Sequence, residues 1–132
     1  MQTTAPCSVR QLEGGLSVTP ETRDTDPAWR TGGFDMDTSL NAISHVTRRN
    51  ILRWLKEPLV HFPNQVHVQD LGVCMGEITR QCALSQSTVS HHLAQLRKAG
   101  LLTMRQVGTF RFFKRNEQSI EQLRSALSEY LR

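Results

Sequence analysis

The chain has no apolar run approaching the roughly 20 residues needed to cross a bilayer. Its first stretch, MQTTAPCSVRQLEGG, carries no hydrophobic signal core. These absences predict a protein that stays in the cytoplasm and takes no membrane partner. It also lacks a P-loop, a glycine-rich dinucleotide fingerprint, a Gly-x-Ser-x-Gly elbow and a His-Glu metal helix, which argues against an enzyme. A nucleophile and base could be drawn from Cys74 and a distant histidine, but nothing in their spacing demands it. Aromatic residues are 6% of the chain and cysteines number three. An odd cysteine count in a reducing compartment argues against a disulfide framework. There is no internal repeat.

The 132 residues allow one domain and a tail. Residues 1–36 contain Pro6, Pro20, Pro27 and two Gly-Gly pairs with Ser and Thr between them. A segment of that kind buries little and is expected to be a flexible arm, with Trp29 and Phe34 available to anchor its end. Residues 37–132 are expected to form the folded domain. Net charge is +4, and Asp and Glu outnumber Lys and Arg within residues 1–36, so the folded part is the basic part. Arg48, Arg49, Arg53, Arg97 and Lys98 contribute to it. Such a balance favours a polyanion partner without indicating sequence preference.

Residues 84–115, LSQSTVSHHLAQLRKAGLLTMRQVGTFRFFKR, are the most informative stretch. Ser85 or Ser87 can cap a helix that starts there. Val89, Leu93, Leu96 and Leu101 recur at spacings of four, three and five, lining one face for packing. The other face carries Gln86, Ser87, Thr88, Ser90, His91, Gln95 and Lys98. Gln, Ser and Thr near a helix N-terminus are suited to reading base edges in the major groove. An ordinary capped surface helix would look the same in isolation, and it is the basic hairpin directly after this one that sets it apart. Gly100 is placed to end the helix, and Leu101 to Arg105 alternates as a strand. Val107-Gly108-Thr109 is a tight turn, and Phe110 to Lys114 returns as a second strand. A lone hairpin is marginal in water and must lean on helices. Arg105, Arg111 and Lys114, with Arg115, would then lie beside a DNA backbone, where phosphate contacts set register.

Upstream, Cys74 to Ala83 reads as the first helix of a helix-turn-helix, with Met75, Ile78 and Cys82 on one side and Ala83 in a turn where glycine is common. From Asp37 the chain turns helical, with Leu40 and Ile43 as one short apolar face and Ile51, Leu52 and Leu55 as another. Pro58 stops it. Residues 58–73 form a long connection containing His61 and His67. A last helix, Ser119 to Leu131, places Ile120, Leu123, Leu127, Tyr130 and Leu131 along one side, a stripe that needs a neighbour.

The segment SQSTVSHHLAQLRKAGLL closely resembles the recognition-helix pattern of the ArsR/SmtB family of bacterial metal- and stress-responsive regulators. GTFRFFK resembles that family's wing, and ISHVTRRNILRWL its second helix, with Val46 where the family usually has proline and His45 where an acid or histidine is common. The resemblance covers residues 37 to 131. It implies a mainly α, dimeric winged helix-turn-helix with a small β-hairpin, whose terminal helix pairs with the first helical region across a two-fold axis. Leu40, Ile43, Ile120, Leu123, Leu127, Tyr130 and Leu131 would line that interface. The implied function is a sequence-specific transcriptional regulator, a repressor acting as a homodimer on double-stranded DNA at an inverted repeat. A winged-helix protein-interaction module without DNA binding is the alternative, and salt-dependent binding to duplex DNA separates the two.

Family members sense metals through cysteine sets on the helix before the turn, or through Asp/His and His/Glu pairs on the terminal helix. Here the terminal helix has no histidine. Cys74 matches the first cysteine of the family's Cys-Val-Cys motif, but Gly76 occupies the second position. Cys74 and Cys82 would be separated by a rise of about 12 Å, too far to share an ion. His91 and His92, adjacent on a helix, point about 100° apart and cannot chelate together. No metal or cofactor is therefore expected. Cys74 is kept as a sensor candidate because a thiol at a helix N-terminus tends towards thiolate, with Cys7, His61 or His67 able to complete a site. A small-molecule or redox effector is the remaining input.

Overall fold

The computed structural model describes residues 34–63 and 71–132. Cys7, His67, Trp29 and most of the expected arm lie outside them. Phe34 packs against the core cluster.

Helix α1 spans Met36–Ala42, capped by the Asp35 side chain, which accepts the Thr38 backbone N–H at 3.2 Å. Its inward positions are Ser39 and Ala42, both buried, whereas Leu40 is 36% exposed and Ile43 half-buried. The expected Leu40/Ile43 face is thus split: Leu40 is turned outward, while Ile43 packs against the edge of the core. The chain breaks at Ile43–His45 and restarts as α2, Val46–Lys56, where His45 Nδ1 accepts the Thr47 backbone N–H at 3.1 Å. Val46 therefore stands at the first helical position, where proline is favoured because its missing N–H has no intrahelical partner to lose. Pro58 both stops α2 and opens a further turn, α3, Pro58–His61, at the same favoured position.

A two-residue strand, β1 (Val73–Cys74), leads directly into α4, Met75–Cys82. The expectation of Cys74 inside that helix is corrected: it precedes the helix, in the sheet. After α5, Gln86–Lys98, come β2 (Leu102–Val107), β3 (Phe110–Arg115) and α6, Glu117–Tyr130. The sheet is antiparallel in the order β1-β3-β2, with Val73 opposite Phe113 and Cys74 opposite Phe112. The wing is thus a three-stranded sheet rather than a hairpin alone. Gly72, at φ +106°, makes this possible: a Cβ there would stand 2.4 Å from the Phe113 carbonyl oxygen. Two residues have no periodicity to read, so the sequence carries no signal for β1.

One cluster of apolar side chains holds the elements together. Ile51, Leu55, Ile78, Val89, Leu93, Leu96, Leu101, Leu102 and Phe113 are buried in it, joined by Leu123 from α6. Burying such a side chain stabilises by about 1.5 to 3 kcal/mol each. Leu123 is only 6% exposed within the single protomer. It does not need a partner chain to be dry, contrary to the expectation drawn from its stripe; Ile120 and Leu127 are half-buried, and Tyr130 and Leu131 are exposed.

Candidate DNA interface

The helix pair α4–α5 is joined by Ala83–Leu84–Ser85. Ala83 has left-handed backbone angles, φ +57° and ψ +39°, the conformation in which glycine is common. Ser85 caps α5: its Oγ accepts the Thr88 backbone N–H at 3.2 Å and donates to the Thr88 hydroxyl at 2.8 Å. Ser87, the other capping choice, lies inside the first turn. The far end closes as a Schellman motif, with Gly100 N–H on the Arg97 carbonyl at 2.9 Å and Leu101 N–H on that of Leu96 at 3.0 Å.

Between these caps the helix is sharply two-sided. Val89, Leu93 and Leu96 are buried, and so is His92. Gln86, Ser87, Thr88, His91 and Lys98 are exposed, while Ser90 and Gln95 are half-buried. All seven residues expected on the outer face are therefore accessible at least in part.

The wing turns on Gly108-Thr109 between the paired Val107 and Phe110. Gly108 has φ +63° and Thr109 no positive φ, which matches a type II′ hairpin with glycine first. Side chains alternate across a strand, so the register sorts the basic residues. Met104 faces Phe113 and Gln106 faces Arg111, which puts Arg111 on the sheet face that carries Phe113. Arg105 pairs with Phe112 and Lys114 with Thr103, placing those two cations on the opposite face. Arg111 and Lys114 are exposed and Arg105 half-buried. Arg115 is turned to structural use: it forms an ion pair with Glu117 at 2.8 Å and donates to the Leu52 carbonyl at 3.1 Å.

Other basic residues counted towards the polyanion surface are also engaged internally. Arg49 donates to the Ile43 carbonyl at 2.8 Å, and Arg48 to that of Asn41 at 3.2 Å, so both satisfy carbonyls at the end of α1. Arg48 Nε also donates to His92 Nδ1 at 3.1 Å. His92 does not join the outer face of α5; it points inward, and burial, with His45, Arg48 and His91 nearby, holds its pKa below the usual imidazole value. Its place could have been found: 89, 92 and 96 share the helical spacing of the apolar stripe.

Cys74 is 3% exposed, in the sheet. Cys74 stands at the N-terminus of α4 as its N-cap, but its side chain makes no capping hydrogen bond there and is buried rather than open to a reagent. Cys82 is a free thiol packed against the core, and burial pushes its pKa up, as suits an unreactive side chain. His61 ends α3 and is half-buried. Among the described residues no group of three or more His, Cys, Asp or Glu side chains is placed to hold a metal ion, and no helix is long and apolar enough to cross a membrane.

Residues 73–103, from β1 into β2, match the family described as bacterial regulatory protein, arsR family. The chain is 39% identical over 84 residues to the HTH-type transcriptional regulator YbzH of Bacillus subtilis, a match spanning 62% of this chain and 84% of YbzH. It is 32% identical over 78 residues to ArsR2 of Halobacterium salinarum, named for arsenical resistance operon repression, spanning 59% of this chain and 56% of ArsR2. Among solved structures, NolR from Sinorhizobium fredii aligns over 83% of this chain and 96% of its own, at 22% identity and a TM-score of 0.49. With its helix-turn-helix, its wing and this extent of kinship to YbzH, the chain belongs to the ArsR family of winged helix-turn-helix transcriptional regulators, DNA-binding proteins rather than enzymes.

Proposed function

We propose that the chain is a cytoplasmic transcriptional repressor that binds an inverted-repeat operator as a homodimer, with α5 as its recognition helix. The observation that carries this is the two-sidedness of α5: Gln86, Ser87 and Thr88 are exposed at its capped N-terminus while Val89, Leu93 and Leu96 behind them are buried. That is the end of a helix that reaches base edges in the major groove. Gln86, Ser87, Thr88, Ser90 and His91 read sequence, Gln95 and Lys98 extend the contact along the helix, and Arg105, Arg111 and Lys114 contact phosphates from the two faces of the wing.

Dimerisation uses the apolar surface that one protomer leaves uncovered. Tyr130 and Leu131 are 76% and 79% exposed at the end of α6, and Leu40 is exposed on α1, which packs against α6. Leu127, Ile120 and Ile43, half-buried, border that surface. A two-fold pairing there presents two recognition helices to half-sites about one helical turn or more apart. Occlusion of a promoter by such a dimer gives repression, relieved when a small-molecule or redox signal alters the spacing of the two helices.

Selection of duplexes from a random pool, followed by sedimentation of the complex, tests the reading. Enriched inverted repeats bound by two chains are expected. Binding that never rises above that of random duplex, or a steadily monomeric chain, overturns it.

A further inference from the structure

The tie between Arg48 and His92 joins three elements. Arg48 sits half-buried in the first turn of α2; one of its nitrogens holds the Asn41 carbonyl at the end of α1, and its Nε donates to His92 Nδ1 on α5. His92 is 6% exposed, and its ring lies 4.5 Å from that of His45 and 6.0 Å from that of His91, centroid to centroid.

The donors fix the protonation state. An arginine has no acceptor, so His92 Nδ1 must present a lone pair, and the ring is neutral with its hydrogen on Nε2. His45 is held in the same sense, since its Nδ1 accepts the Thr47 N–H that caps α2. Two imidazoles in tilted contact thus both accept through Nδ1 in the fold, His45 at the cap of α2 and His92 at the Arg48 guanidinium. The groups acting on His92 are His45 and Arg48 from α2 and its cap, and His91 from its own helix. None is a carboxylate. On the other elements packed against α5, Asp37 of α1, Glu77, Arg80 and Cys82 of α4 and Arg105 of β2 are not among them.

We propose that Arg48 and His92 form a proton-sensitive latch that seats the recognition helix on the body, so that acidification loosens the helix and weakens sequence-specific binding. Proton uptake by His92 abolishes the Nδ1 acceptor and leaves an imidazolium against a guanidinium with no acid to compensate. The sign is diagnostic. Added positive charge strengthens attraction to phosphates in general, so random duplex should be held at least as well in acid while the selected site is lost. Arg48 and His92 act here as positioning residues, and the proposal rests on α5 being the recognition helix.

The test measures affinity for a duplex enriched from a random pool and for a random-sequence duplex from about pH 7.5 to about pH 5.5, the range over which histidine titrates. For the wild-type chain the ratio of the two should fall about tenfold. His92→Asn keeps an acceptor near the Nδ1 position but cannot titrate, and its ratio should stay level. A wild-type ratio that holds, or a His92→Asn ratio that falls in step with it, overturns the latch. Imidazole nitrogen NMR decides independently of DNA: His92 should carry its hydrogen on Nε2 at neutral pH, and Arg48→Gln should shift its titration. A hydrogen on Nδ1, or a titration indifferent to Arg48, refutes the proposal even if selection has succeeded. Failure to enrich any sequence at neutral pH would instead count against α5 as the recognition helix, leaving the spectra to judge the latch.

Discussion

Leu101 donates its backbone N–H to the Leu96 carbonyl at 3.0 Å, and both side chains are fully buried. This single closure ends α5, turns the chain towards the wing and inserts its first residues into the core. The glycine between them, Gly100, has φ +81°. A Cβ there would meet only Ser119 Oγ at 3.6 Å, ordinary contact, so any cost of a side chain is conformational rather than steric. Gly100→Ala should destabilise by about 1 to 2 kcal/mol, read as a lower denaturant midpoint at unchanged slope. A neutral substitution would mean that the turn relaxes into another conformation.

Ala83 offers the opposite experiment. It occupies a left-handed conformation that costs an L-residue about 1–2 kcal/mol, of which glycine's greater unfolded-state freedom would offset roughly half. Ala83→Gly should therefore raise stability by about 0.5 to 1 kcal/mol, seen as an increase in melting temperature.

Ser85→Ala removes the cap on α5 and should cost about 1 kcal/mol. Because the Ser85 hydroxyl also holds that of Thr88, its loss frees a side chain on the proposed reading edge. Specific binding should weaken beyond what the stability loss explains, and Ser85→Asn, another capping residue, should recover the stability.

The wing and the helix should separate in their effects on DNA. Arg111→Ala should weaken selected and random duplex alike and flatten the salt dependence by about one unit of slope. Gln86→Ala or Ser90→Ala should instead cost about 1 to 3 kcal/mol on the selected duplex alone. Equal losses on both duplexes for the helix variants would remove them from the reading surface.

Assembly and folding can be dissociated in α6. Leu123→Ala empties a site buried within the protomer and should cost about 2 to 5 kcal/mol. Leu131→Glu alters a side chain that is 79% exposed in the protomer. It should leave the protomer folded by circular dichroism while shifting sedimentation towards a monomer with lost operator binding; an unchanged dimer would place the interface elsewhere.

The periodic and capped features of this chain were legible without coordinates because they are local. Helix α5, its Ser85 cap and Gly100 terminus, the Gly108 turn and the helix-turn-helix order each depend on residues within a few positions of one another, where spacing and backbone preference carry the information. What the tertiary structure decided was long-range. Cys74 joined β3 opposite Phe112, 38 residues on, because Gly72 let two backbones meet. Leu123 entered the protomer's own core, while Ser39 and Ala42, not Leu40, faced inward. Arg48 reached His92 across 44 residues, drawing a basic side chain and a histidine out of the surface to which their sequence neighbours belong. Pattern reports which face of an element is apolar; only packing decides what that face, and each polar side chain near it, will meet.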